Sequence, residues 1–192
     1  MYLYENDPRH LGPADEAFAR AAALDAKNPL PVIARIQTAF AAGPAPAPGL
    51  VDDLVRRLGE PRPHVTAPSS LSGLVGCQVS GRCRLAPAQM RRIFAAALGN
   101  PAMAPWMQAH LLQDRAVWEA HVLRDGSAAA ATLERAIEVA PSRLETHLEF
   151  ARLLGLMGLR DAARERLAIA ADIAARAGPL ASHAGGLRVA EA

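Results

Sequence analysis

The sequence predicts an all-α protein, and three observations predict it. Alanine, the strongest helix former and a weak strand residue, fills 43 of the 192 positions. Apolar residues make up 51% of the chain but aromatics only 4%, so cores must be thin and helices must approach closely. Apolar residues also recur at i, i+4 and i+7, the spacing of one helix face. This balance excludes a disordered chain, which lacks the apolar surface to offset ordering entropy. The length suits one domain or one short repeat array.

Nine helices are expected. The first, 13–25, rests on Ala14, Phe18 and Ala21; the second, 30–42, follows Asn28-Pro29 and ends where Gly43–Gly49 interposes three prolines. Proline lacks the donor N–H and clashes with the preceding turn, so that run is an extended connector, as is Glu60–Ala67 with its own two prolines. Between and after them lie 49–59 and 68–79. Met90, Phe94 and Ala97 place the fifth helix at 86–98, and a sixth spans 104–123. Ala129, Leu133 and Ala136 define 127–140; Phe150, Ala151 and Leu154 define 143–157. After a turn at Gly158, Ala163, Leu167 and Ala170 define 159–177.

The last helices carry an internal repeat. Ala129, Leu133 and Ala136 return 34 residues later as Ala163, Leu167 and Ala170, with Pro141 between the two units. Helix, glycine turn, helix and a proline boundary at this period resemble the tetratricopeptide repeat. That resemblance implies a right-handed superhelix of antiparallel helix pairs. It is best over residues 110–175, where Val117 departs from the small first-helix residue and implies a splayed pair. Met90, Phe94 and Ala97 lie 39 residues upstream of the next copy, implying an irregular middle. The chain reads as one domain, 1–192, with a frayed cap at 178–192. Residues 1–12 are too short for a first helix, implying a truncated or capping segment of a longer protein.

Charge gives little for a polyanion to hold. The net charge is +2, too small by itself for a nucleic-acid binder. It is unevenly spread, because the stretch from Pro61 to Gln113 holds no acid and five arginines, Arg62, Arg82, Arg84, Arg91 and Arg92. The last four form a candidate basic patch, read either as a solvated face or as proximity to an anionic membrane surface. Met1–His10 lacks the apolar run of a signal peptide, and Ile93–Gln113 is too interrupted to span a membrane.

Cys77 and Cys83 are the only cysteines. Their spacing fits neither zinc nor a redox dithiol. On one continuous helix they would stand about 9 Å apart, yet Ser80-Gly81 offers a turn that would allow a disulfide. Paired and free thiols both remain open. No histidine pair at i, i+4, no nucleophile motif and no phosphate loop is present, so no catalytic residue, metal or cofactor is assigned. His110 with Asp114, and Glu145 with Glu149, read as helix-surface pairs.

In tetratricopeptide proteins the first helices line a concave groove. The resemblance places Asp114, Trp118, His121, Glu145, Leu148 and Arg152 there, with Trp118 alternatively a core residue. Trp and Arg are typical interface anchors, so the implied function is non-catalytic binding of a protein segment or a neighbouring domain of the same polypeptide. A finer resemblance rests on Leu24-Asp25-Ala26-Lys27-Asn28-Pro29-Leu30-Pro31, the cysteine-bearing helix, Leu85–Met90 and Asn100-Pro101. These are similar to the C-terminal periplasmic region of bacterial multi-pass glycosyltransferases and O-antigen-ligase-like proteins. It implies an accessory domain on the periplasmic side of an inner membrane, with chemistry on polyprenyl-linked sugars residing elsewhere; a cytoplasmic scaffold is the alternative.

Overall fold

The computed structural model describes residues 8–43, 45–46, 49–62 and 67–177. Those residues form α1 (Pro8–Leu24), α2 (Leu30–Ala42), α3 (Leu50–Leu58), α4 (Ala67–Val79), α5 (Pro87–Leu98), α6 (Pro105–His121), α7 (Gly126–Val139), α8 (Leu144–Leu156) and α9 (Arg160–Ala177). All nine expected helices are present among the described residues, and no strand is. The expected cap at 178–192, residues 1–7 and parts of both proline connectors lie outside them.

One boundary moved. Residues 8–12 continue α1 rather than forming a separate truncated element, so Pro13 sits inside the helix. Proline at the first position is pre-set for a helix. The bond that Pro13 forfeits lies near the exposed start, where Gly12 and Pro13 face water.

Local chemistry explains most other ends. Pro87 and Pro105 occupy first-turn positions of α5 and α6, where the missing N–H has no intrahelical partner to lose. The Asp125 carboxylate accepts from the Ala128 N–H and caps α7. Gly158, with φ of +79°, makes the left-handed turn into α9, a conformation that favours glycine.

Adjacent helices pair: α1 with α2, α6 with α7, and α8 with α9. A second relation runs through the even-numbered helices, since α2 meets α4, α4 meets α6, and α6 meets α8. The helix α4 packs on α2 and α6 rather than on α5, while α3 packs on α5. Close approach depends on small residues, as the composition implied. Ala97, Ala109, Ala129 and Ala136 are fully buried, and Ala151, Ala163 and Ala170 nearly so.

Two apolar cores result. The first joins α2–α6 through residues such as Ile33, Leu54, Leu74, Phe94, Leu111 and Trp118. The second joins the last hairpins through Ala116, Ala129, Leu133, Phe150, Leu153, Leu154 and Ala163. The helix α6 belongs to both. The splaying expected from Val117 does not occur, because Val117 packs against the first core while Ala116 takes the α7 side.

Thin cores leave helix ends near the interior, and buried polar side chains satisfy them. Arg57 is 5% exposed. Its Nη1 donates to the carbonyls of Ala22, Asp25 and Asn28, and its Nε donates to Asp53. It thereby ties the end of α3 to the α1–α2 turn. Burial opposes ionisation of Asp53, but hydrogen bonds from Arg57 and Arg56 outweigh it and hold the pKa below the usual value. Asn100, also buried, places its Nδ2 within 2.8–3.1 Å of the Leu58, Glu60 and Arg62 carbonyls. That ties the α5–α6 turn to the end of α3.

Arg57→Ala should therefore cost about 3–5 kcal/mol, the penalty for breaking a buried charge pair. Arg56→Ala, an exposed neighbour, should cost less than about 1 kcal/mol. Urea denaturation of both variants checks the contrast, and equal losses would refute the clamp.

Candidate functional site

The six groove positions separate in the structure. Trp118 is 1% exposed, with its ring centroid 5.9 Å from that of Phe94. It is a core residue and cannot serve as a surface anchor. The cause is α5, whose Phe94 covers the face of α6 that the repeat pattern leaves open. The Trp118 indole N–H finds no hydrogen-bond partner there, an uncompensated cost that the ring's burial must exceed.

Four of the six remain on the surface of α8 and the end of α6. Glu145 and Arg152 are exposed, and Leu148 and His121 are half-buried. Arg152 donates through Nε to both Glu149 oxygens, at 3.2 and 3.1 Å. Its Nη2 lies 2.9 Å from His121 Nε2, which must accept because a guanidinium only donates. This small charged cluster joins α6 to α8 and holds Arg152 at the surface.

Asp114 is instead drawn into a partly buried network that sequence spacing only half revealed. Arg143 Nη2 lies 2.9 Å from His110 Nδ1, His110 Nε2 lies 2.8 Å from Ser72 Oγ, and Ser72 Oγ donates to Asp114 Oδ2 at 2.6 Å. Ser72 comes from α4, His110 and Asp114 from α6, and Arg143 precedes α8, so the network joins α4 and α6 to the start of α8. The i, i+4 spacing of His110 and Asp114 was visible in the sequence. Ser72 and Arg143 lie too far along the chain for any local signal.

A serine, a histidine and an aspartate in contact invite a catalytic reading, and the proton directions oppose it. Arginine can only donate, so His110 Nδ1 accepts and the neutral ring carries its proton on Nε2. That Nε2–H faces Ser72 Oγ, whose own proton goes to Asp114. A general base must instead accept the serine proton, with a carboxylate orienting its far nitrogen. As arranged, the imidazole cannot activate Ser72.

Burial pushes the Asp114 pKa up to about 7, against the opposing Ser72 hydrogen bond and Arg143 charge. Burial and then the Arg143 charge lower that of His110, with Glu145 opposing. Both shifts favour the neutral form.

Several arginines of the acid-free stretch have polar partners among the described residues. Arg82 donates to Ser80 Oγ, and Arg92 donates to Asp52 at 2.7 Å. Arg84 and Arg92 border a hollow of about 220 Å³ beside the start of α3, which Asp52 also lines. A carboxylate from outside the stretch thus offsets part of its charge.

Cys77 and Cys83 are bonded, with Cα atoms 5.1 Å apart. The chain doubles back after Val79 through Gly81 at φ +73°, and the Cys83 N–H donates to the Cys77 carbonyl. The bond pins the end of α4 to the approach to α5, two helices that otherwise pack on other neighbours. A structural disulfide is consistent with an extracytoplasmic, oxidising compartment. No described helix is long and apolar enough to cross a membrane. Among the described residues, no group of three or more His, Cys, Asp or Glu side chains is placed to hold a metal ion.

No protein-family model matches the chain, and no curated protein or solved structure matches it. What stands is an all-helical domain of nine described helices with paired antiparallel contacts.

The Asp114 shift predicts a pH signature. A carboxyl with a raised folded pKa contributes stability that is fully present below its unfolded value near 3.8 and lost as pH rises through about 7. Asp114→Asn should therefore gain stability relative to the native protein between pH 5 and pH 8, by on the order of 2 kcal/mol. Chemical melts at the two pH values measure it. An equal effect at both would show that the carboxyl is not shifted.

Proposed function

We propose that this chain is a non-catalytic interaction scaffold of the tetratricopeptide type, acting as part of a larger protein. The observation that carries the reading is the 34-residue repeat laid out as two stacked hairpins. Ala129 and Ala163, and likewise Ala136 and Ala170, are buried at matching positions of α7 and α9. The even-numbered helices meeting in sequence are the layer that first helices form in such arrays, and a right-handed superhelix belongs to the same proposal. The binding surface is the exposed face of α8 with the end of α6: His121, Glu145, Leu148 and Arg152. Its ligand is a protein segment or a neighbouring domain of the same polypeptide, bound without turnover.

A second reading makes this the accessory periplasmic domain of a bacterial membrane glycosyltransferase or ligase-like enzyme. The disulfide between Cys77 and Cys83 favours it, since such bonds are rare in a reducing cytosol. Both readings leave chemistry outside these helices.

A photo-crosslinking residue at Leu148, introduced into the protein in its own host, tests the scaffold reading. One partner or parent-chain segment should be trapped, and Arg152→Glu should reduce trapping tenfold or more while the circular dichroism is unchanged. Labelling of bulk protein alone, insensitive to Arg152→Glu, would refute this surface. Trp118→Ala should lower stability by about 3–5 kcal/mol as a core truncation does; a fully stable Trp118→Ala variant would contradict its placement.

A further inference from the structure

Within the shared alanine–leucine–alanine stripe, the two copies differ in burial at one position. Ala129 and Ala163 are 0% and 9% exposed, and Ala136 and Ala170 are 0% and 2%. The leucine between them behaves otherwise, because Leu133 is 1% exposed and Leu167 is 49%. What stands over each leucine makes the difference. Helix α8 covers α7, and its Phe150, Leu153 and Leu154 share one core with Leu133. Over α9, no described helix takes the corresponding place.

The flanks of the two seams differ as well. Gly126 and Ala130 of α7 correspond, 34 residues on, to Arg160 and Arg164 of α9. These arginines lie seven and three residues before Leu167, on the same side of the helix. Both are exposed; Arg164 pairs with Asp161 at the surface, 74% and 97% exposed respectively. The seam on α9 is therefore a leucine in a basic frame, where that on α7 is a leucine among small residues.

We propose that this face of α9 is a docking seam for an amphipathic helix of a partner protein, one that repeats the chemistry of α8. It carries an aromatic or leucine residue and two further leucines at i, i+3 and i+4, as Phe150, Leu153 and Leu154 do. Acidic residues flank that stripe and face Arg160 and Arg164. The repeat supplies the geometry, because the same alanine–leucine–alanine stripe already receives such a helix once within this chain. The charge supplies the selectivity, since a helix with a basic flank would meet Arg160 and Arg164. This inference rests on the repeat reading above but uses a different surface from the α8 face.

The probe is a capped synthetic peptide copying residues 143–157, titrated into the full chain and followed by backbone amide chemical shifts. Saturable shifts should centre on Leu167 and Ala171. Leu167→Glu should weaken binding tenfold or more with unchanged helicity, and Leu167→Ser, which adds no charge, should weaken it in the same direction. Arg135→Ala, at an exposed position of α7, should leave the affinity unchanged. Absence of saturable binding, or equal affinity for Leu167→Glu, overturns the proposal. Concentration-dependent self-association that Leu167→Glu abolishes would make a second copy the occupant and overturn it too. So would a Leu167→Trp reporter, in a Trp106→Phe background, whose emission is already blue-shifted in the free monomer, because the chain would then cover its own seam. Any of these failures, with trapping at Leu148 intact, leaves the scaffold reading standing.

Discussion

Helix α6 is the element on which both cores depend, because it is buried on two sides at once. Met107, Leu111 and Trp118 enter the first core, and Ala116 enters the second. An ordinary surface helix buries one stripe and solvates the other. Here a large residue faces one neighbour and a small one faces the other, so α5 can press Phe94 onto Trp118 while α7 approaches closely. Removing bulk on one side opens a cavity; adding bulk on the other separates the hairpins.

Alanine-rich contacts have a second consequence. They bring helices close but bury little apolar area per residue, and they leave turn carbonyls near the interior. Each such carbonyl needs a partner. Arg57 and Asn100 supply donors from a distant element in each case, and His147 donates from Nε2 to the Pro141 carbonyl at the α7–α8 turn. The disulfide does comparable work between α4 and α5. Polar and covalent ties thus fix the turns where side-chain bulk is scarce.

The same logic extends to the Ser72–His110–Asp114–Arg143 network. It joins α4, α6 and the start of α8, and Arg143 sets which nitrogen of His110 accepts and which donates. A network arranged in that way fastens helices together. Outside the cores, the charged surface of α8 and Leu167 of α9 are left exposed.

The sequence by itself determined the local structure. Alanine content, the i, i+4, i+7 stripes and the prolines placed nine helices close to where they stand, and the 34-residue repeat identified Ala129, Ala136, Ala163 and Ala170 as contacts. These are short-range signals, set by backbone propensity and helical periodicity. Only the tertiary structure decided which helix covers which face. Trp118 and Arg152 stand at matching repeat positions, yet one is core and the other surface, because α5 lies over α6 while that face of α8 stays open. Leu133 and Leu167 diverge for the same reason. Asp114 looked like half of a surface pair until Ser72, from α4, and Arg143, ahead of α8, closed around it. Burial is a property of neighbours far along the chain, and helical periodicity carries no information about them.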